Sequence, residues 1–318
     1  MAIDYLRLSL TDRCNLNCIY CTPLEKGRYL AREELLTHEE IARAAGAFVK
    51  AGVKKIRFTG GEPLIKKNVV ELAGMIKAIP GLKELALTTN GVCLAALAGD
   101  LRKAGVDCVN ISLDTLKRQT FKRITGADRF NEVWSGVQKS LRAGFRRVKL
   151  NVVIMNGIND GEIAEFAGLS VEYPLTVRFI EFFPVNTRSV KLTGALLPTA
   201  EVKRRIERIY GRLLPAGTVK GGGPARGYSV KGAKGGMGFI SGRSGYFCGS
   251  CNRVRMDCSG NVYPCLFSPP VHNLRGRLRS GAGCAELARD IKNIFLVKSE
   301  YRKDSASAGH IEMSSIGG

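Results

Sequence analysis

The chain has 318 residues, 45% of them hydrophobic, and a formal net charge of +21. That is enough apolar material for one large core or two moderate ones, and no run of about 18 apolar residues is present to cross a membrane. Ten cysteines in a chain this long do not describe a disulfide scaffold, because six of them fall into two tight triplets, a metal-binding distribution.

Residues 1–7 hold no basic stretch leading into an apolar one, so a cytosolic, cytoplasmic protein is expected. The basic excess suits nucleic acid, an anionic membrane or a polyphosphate substrate, and is equally a solvated surface. No ladder of stacking aromatics accompanies it, and charge alone leaves the partner open. His38, His272 and His310 lack metal-ligand spacing, so the chemistry falls to sulfur. Cys93, Cys108 and Cys284 stand alone and read as ordinary core or surface thiols.

In chain order, a first strand over 5–10 runs into Cys14, Cys18 and Cys21, spaced C-x3-C-x2-C. Three thiolates on one loop can hold three corners of a cubane iron–sulfur cluster and leave the fourth iron open to a small molecule. A zinc knuckle is the competing reading, but no fourth Cys or His lies nearby. Thr37 and Glu40 form a capping box opening a helix over 38–51. A strand over 55–59 then ends on Thr59-Gly60-Gly61-Glu62-Pro63. Glycines at a strand end let a ligand approach the backbone, and the adjacent carboxylate can accept bonds from an ammonium group.

The alternation continues with helices near 67–79, 92–104, 129–143 and 161–170 and strands over 84–88, 109–112, 148–153 and 177–181. Gly52, Gly105 and Gly144 follow helices, where a left-handed cap is expected. Repeated βα units predict a parallel sheet, doubly wound or closed into a barrel. The unusual residues favour the barrel. The cysteine loop, the glycine turn, Thr88-Thr89-Asn90-Gly91, Ser112-Leu113-Asp114 and Glu181-Phe182-Phe183-Pro184 all follow strands, with Lys149 and Asn151 within the fifth. In a parallel barrel those ends converge on one mouth.

Past about residue 185 the rhythm fades. A basic helix is expected over 199–210, and the glycine-rich stretch from Gly221 to Gly238 reads as a mobile loop. Cys248, Cys251 and Cys265 then form a C-x2-C-x13-C triplet, which fits a second open cluster. Cys258 lies between them; as a fourth ligand it would close the site and admit zinc. Arg253 and Arg255 could clamp an anionic substrate by bidentate hydrogen bonds or simply neutralise the thiolates, and the sequence leaves both open.

Residues 6–14, 57–64, 112–116, 247–253 and 264–267, with the terminal Gly317-Gly318, resemble the radical S-adenosylmethionine (SAM) superfamily. Within it they resemble the GTP 3′,8-cyclases of molybdenum-cofactor biosynthesis, over nearly the whole chain. The resemblance implies an α/β fold: an incomplete (β/α)6 TIM-type barrel of the radical SAM type over 1–184, and a C-terminal region over 185–318. It implies two 4Fe-4S clusters and SAM as cofactors. Cys14, Cys18 and Cys21 would hold the cluster that SAM chelates. Tyr20, Gly60, Gly61, Glu62, Ser112 and Phe183 would contact SAM. Cys248, Cys251 and Cys265 would hold the second cluster, against the guanine of GTP. Arg7, Arg57, Thr88, Lys149, Arg253, Val254 and Arg255 would bind GTP, and Gly317 and Gly318 would insert toward the catalytic centre.

By the same resemblance, reductive cleavage of SAM yields a 5′-deoxyadenosyl radical that takes the 3′ hydrogen of GTP, and the carbon radical attacks C8. A reductant protein such as flavodoxin or ferredoxin, passage of the product to cyclic pyranopterin monophosphate synthase, and a homodimer are implied as well, without nucleic acid or membrane. Phe183 departs from the family's usual methionine, Tyr246 from a common histidine, and Cys258 is extra. Two rivals make other predictions. A peptide-modifying radical SAM enzyme carries a longer C-terminal cysteine array, and a zinc-bearing nucleic-acid binder shows salt-sensitive affinity.

Overall fold

The computed structural model describes residues 2–22, 29–184, 186, 188–218, 225–242, 244–245, 251–298 and 316. Its first half is a run of βα units: β1 (Tyr5–Ser9), α1 (His38–Ala51), β2 (Lys55–Thr59), α2 (Val69–Lys77), β3 (Glu84–Thr89), α3 (Leu94–Lys103), β4 (Cys108–Ser112), α4 (Arg118–Thr125), α5 (Phe130–Arg142), β5 (Arg147–Ile154), α6 (Ile163–Glu172) and β6 (Thr176–Glu181). Strands β1 to β6 pair in sequence order, all parallel. The expected capping box is present: Thr37 Oγ1 accepts from the Glu40 amide at 3.2 Å and Glu40 Oε2 accepts from the Thr37 amide at 2.9 Å.

The second half adds α7 (Thr199–Tyr210), β7 (Leu214–Thr218), β8 (Arg226–Ser229), β9 (Gly236–Ile240), β10 (Arg253–Met256), β11 (Asn261–Tyr263), β12 (His272–Asn273), α8 (Arg275–Arg279) and α9 (Cys284–Val297). One open sheet results, in the order β12-β11-β10-β1-β2-β3-β4-β5-β6-β9-β8-β7. The partial barrel is therefore extended at both edges, by β10 parallel to β1 and β9 parallel to β6.

This corrects one expectation. The glycine-rich stretch read as a mobile loop contains β8 and β9, while residues 219–224 lie outside the described part. A Cβ on Gly235 would stand 1.9 Å from the Leu175 carbonyl oxygen. Its glycine lets the chain press against the entry to β6, so the composition marked close packing rather than freedom.

Period-two alternation gives each barrel strand one apolar and one polar face, and both are buried. Leu6, Leu8, Ile56, Phe58, Leu85, Leu87, Val109, Ile111, Leu150, Val177 and Phe179 join the helices' Ile41, Phe48, Leu72, Ile76 and Leu101 in one core. Arg7, Arg57, Asn110, Lys149 and Arg178, on the opposite phase, are 8%, 3%, 3%, 3% and 8% exposed.

At the far end from the strand C-termini, Glu84 receives Lys55 at 2.7 Å, Arg146 at 2.6 Å and also Arg147. Burial raises the Glu84 carboxyl, but Lys55 and Arg147 outweigh it and hold it below the usual range. Glu84→Gln is expected to cost about 2 kcal/mol, below a fully buried pair because Arg146 is half exposed. The lowered folded-state pKa means this contribution stands above the unfolded carboxyl's titration and drains away as pH falls through the folded one. Thermal unfolding of the two proteins should therefore differ at pH 7 and converge in acid; a pH-independent gap would contradict the ion-pair account.

Among the described residues no helix is long and apolar enough to cross a membrane.

Candidate active site

Beyond β1 the chain folds onto the end of β2. The Gly61 amide donates to the Thr11 carbonyl and the Glu62 amide to the Arg13 carbonyl, both at 2.8 Å. A Cβ on Gly60 would lie 2.6 Å from the Thr11 oxygen, and one on Gly61 2.0 Å from the Arg13 oxygen. Where a ligand was expected against the backbone at these glycines, the contact present is with the cysteine loop's own backbone. Glu62 is buried, its Oε1 accepting from the Leu64 amide at 2.9 Å and Thr89 Oγ1 at 2.7 Å, its Oε2 from the Asn90 amide at 2.7 Å. Burial pushes this carboxyl up to about 7. It is a strut between the ends of β2 and β3.

The cysteine loop is also gripped from behind. Asn17 and Ile19 donate their amides to the Thr125 and Ile124 carbonyls, at 2.8 and 2.9 Å, at the end of α4. Buried Asn186 donates Nδ2 to the carbonyls of Tyr20 at 3.3 Å and Cys21 at 3.0 Å. Neither α4 nor Asn186 was legible as a support, because a lone Asn and a short basic helix carry no spacing signal.

Cys18 is pushed well up by burial first and then by Cys21, Asp114 and Cys14, and Cys21 up to about 12 by burial first and then by Cys14 and Asp114. Thiols crowded so that each disfavours its neighbour's ionisation need cationic charge among them to become thiolates, and the irons of a cluster supply it. A cubane places each thiolate on a separate iron, so no convergence on one ion is needed. Among the described residues no three His, Cys, Asp or Glu side chains converge that way. The residues present fit the cluster.

Tyr20 donates to Asp114 Oδ2 at 2.6 Å, and the Val153 amide to Oδ1 at 2.8 Å; burial raises Asp114 to about 6. Cys18, Tyr20, Asn90, Ser112 and Asp114 line one cavity, which brings the expected contacts Tyr20 and Ser112 together beside the first triplet. Phe183, two residues past the end of β6, is 36% exposed, its ring edge-on to Phe267 at 5.6 Å. That contact joins the β6 end to the loop that follows Cys265.

Inside the barrel the cations face one another in register. Arg7 lies opposite Arg57 on one side and Arg255 on the other, Asn110 opposite Thr88 and Lys149, and Arg178 opposite Asn151. Arg57 donates Nε to the Tyr5 hydroxyl at 2.5 Å and Nη1 to the Leu87 carbonyl at 2.9 Å and Thr88 Oγ1 at 3.3 Å. Burial, then Arg178, Arg57, Lys55 and Arg147, push Lys149 down to about 6. Burial and cationic neighbours lower Arg7 to about 10, Arg178 to about 9, and Arg255 well below the usual range. The same field overcomes burial at Tyr5 and brings its phenol to about 7. Such a field is built for a polyanion.

Arg178 was missed by the sequence reading. Its signal was available, since it occupies the inward phase of β6 as Lys149 does on β5, and its buried Nε has no hydrogen-bond partner among the described residues. Val254 differs from the other expected GTP contacts, because its side chain packs into the apolar core opposite Leu6.

Of the second triplet, Cys248 lies outside the described residues, as do Gly317 and Gly318. Cys251 is held near 7: burial works against ionisation, and Arg253 and Lys298 outweigh it. Arg255 feels Cys265 and Cys251 together. Cys258 is buried and raised to about 12, and its charged neighbours are Asp257, Asp12 and Lys66. Arg255 Nη1 donates to the Ile316 carbonyl at 3.3 Å, so the residue preceding the two terminal glycines reaches a barrel arginine.

The description Radical SAM superfamily matches residues 8–169, and Molybdenum Cofactor Synthesis C matches residues 175–303. The GTP 3′,8-cyclase of Pelotomaculum thermopropionicum is 44% identical over 317 residues, 99% of this chain and 98% of that protein. That of Geobacter sulfurreducens is 44% identical over 319 residues, 99% and 97% of the two chains. Among solved structures, Streptococcus suis SuiB bound to precursor peptide SuiA superposes with a TM-score of 0.64, over 99% of this chain and 70% of that one, at 14% identity. That last likeness is one of fold.

Proposed function

The chain belongs to the radical SAM superfamily and, within it, to the GTP 3′,8-cyclases, and from that premise we propose how its residues serve conversion of GTP to (8S)-3′,8-cyclo-7,8-dihydroguanosine 5′-triphosphate. This is the first step of molybdenum-cofactor biosynthesis. The carrying observation is the set of buried cations that shares one barrel with the cysteine loop.

Residues 1–184 form the barrel that takes SAM, with a 4Fe-4S cluster on Cys14, Cys18 and Cys21. Residues 185–318 contribute a second 4Fe-4S cluster on Cys248, Cys251 and Cys265, and the edges of the same sheet. When bound, the first cluster with SAM supplies the organic radical the reaction requires. The protein's part is placement. Tyr20, fixed by Asp114, and Ser112 line the SAM side, with Phe183 at the rim. Gly60, Gly61 and Glu62 hold the cysteine loop to the barrel.

Arg7, Arg57, Lys149, Arg253 and Arg255, joined by Arg178, take the triphosphate through charge-assisted hydrogen bonds. Thr88 and the Val254 backbone complete the pocket. Gly317 and Gly318, by the resemblance to the family, would insert toward the catalytic centre. A low-potential reductant protein such as flavodoxin or ferredoxin, a homodimer, and hand-over to cyclic pyranopterin monophosphate synthase complete the proposal.

Anaerobic turnover of iron-reconstituted protein with SAM, reductant and GTP tests the reading. GTP-dependent 5′-deoxyadenosine together with a cyclised product of unchanged GTP mass is expected. Deoxyadenosine without that product would move the substrate elsewhere, to a peptide in the first instance. Neither product from a protein carrying both clusters would overturn the proposal.

A further inference from the structure

Lys298 follows α9 and is 7% exposed. A buried ammonium is costly unless its donors are satisfied, and it has three of them. Its Nζ meets the Arg253 carbonyl at 2.5 Å, the Pro264 carbonyl at 2.6 Å and Cys251 Sγ at 3.8 Å. The two carbonyls belong to the two chain segments that carry Cys251 and Cys265. The lysine is presented from a firm base, because Leu287, Ile291 and Ile294 of α9 are buried in the main core. The C-terminal end of a helix also favours a cation.

We propose that Lys298 is a positioning residue for the second cluster: it pins the Cys251 and Cys265 segments to each other, and its charge against Cys251 raises that cluster's reduction potential. This rests on the reading that Cys248, Cys251 and Cys265 hold a cluster. Charge and hydrogen bonds at ligand sulfurs are among the determinants of iron–sulfur potentials. A lysine that merely filled space would leave the potential alone.

The test compares wild-type protein with Lys298→Gln, Lys298→Met and Lys298→Arg, by iron content and by redox titration followed by electron paramagnetic resonance. Gln supplies donors without charge, Met supplies neither, and Arg keeps the charge. In Gln and Met proteins the second cluster should become harder to reduce by at least tenfold in the one-electron equilibrium, about 59 mV. The Arg protein should match wild type, and the first cluster should be unmoved in all. Loss of the second cluster from Gln and Met proteins, with retention in Arg, also supports the assignment. A wild-type potential in the Gln protein overturns it. Wild-type protein holding only one cluster would overturn the two-cluster reading itself, and with it the role of Lys298, before any variant is compared.

Discussion

Protein carrying Gly61→Ala is expected to lose the first cluster while keeping its fold. Its Cβ would sit 2.0 Å from the Arg13 carbonyl oxygen, 2.4 Å from the Arg13 carbonyl carbon and 3.1 Å from the Cys14 nitrogen. These are backbone atoms, so no side-chain rotation relieves the contact, and the loop carrying Cys14 has to move by more than an ångström. The obstacle is steric rather than conformational: Gly61 is not among the residues with positive φ. Overpacking of this kind costs about 1–3 kcal/mol, which a domain of this size survives. Misplacing a ligand loop by about 1 Å is far more serious for function, of order 10²-fold or more in turnover.

The measurements are iron per chain, the spectrum of the reduced first cluster, and SAM-dependent deoxyadenosine formation. Gly46→Ala and Gly99→Ala make suitable controls. Both sit inside helices where an added Cβ meets nothing within 4 Å, so each should be neutral or stabilising by up to about 1 kcal/mol. A Gly61→Ala protein with wild-type iron content and deoxyadenosine formation would show that the cysteine loop does not depend on this packing.

The barrel half of the fold was legible because its signals are local. Alternating strands, helix caps and motifs at strand ends all lie within a few residues of each other, and they placed β1 to β6 within a residue or two. The edges of the sheet were not legible. β9 is a glycine-rich strand entered through Gly235, which presses on Leu175 far back in the sequence, and β10 to β12 are short, with β10 given its partner by β1 of the barrel. In the site, cysteine spacing and strand phase were visible, but the supports were not. Asn186, Lys298 and the end of α4 act through backbone carbonyls of segments far along the chain, and such bonds leave no pattern in the sequence. At Gly60 and Gly61 the glycine signal was visible but its partner was not: the sequence suggested a ligand against the backbone, whereas the structure brings the Thr11–Arg13 backbone there.

Lys149→Met is expected to make the substrate-free protein more stable and the substrate-bound one weaker. In the empty barrel Lys149 is surrounded by Arg178, Arg57, Lys55 and Arg147, and its pKa falls from 10.5 to about 6. Between those values the unfolded chain holds a proton that the folded one has released. The lysine's penalty is therefore full below about pH 6 and fades as pH rises towards 10.5, so stability climbs with pH on its account. Replacing buried charged groups with well-packed apolar side chains is often neutral or stabilising by about 1–4 kcal/mol. Because pH 7 lies only about one unit above the folded value, most of that penalty is still present there, and the gain should lie near the upper end of that range. The pH slope of melting temperature should flatten across the same window.

The triphosphate reverses the balance. Its negative charge restores the ammonium, so GTP binding at pH 8 should take up close to one proton, and affinity should fall as pH rises. Without Lys149 that uptake disappears, and the lost charge-assisted bond should cost about 10–100-fold in GTP affinity. Calorimetry in buffers of different ionisation enthalpy reads the proton directly. A Lys149→Met protein less stable than wild type, with unchanged affinity and unchanged proton uptake, would mean that this lysine is a structural member of the barrel. The expected result would instead mean that the barrel keeps cations at the expense of its own stability, with the substrate as their counter-ion.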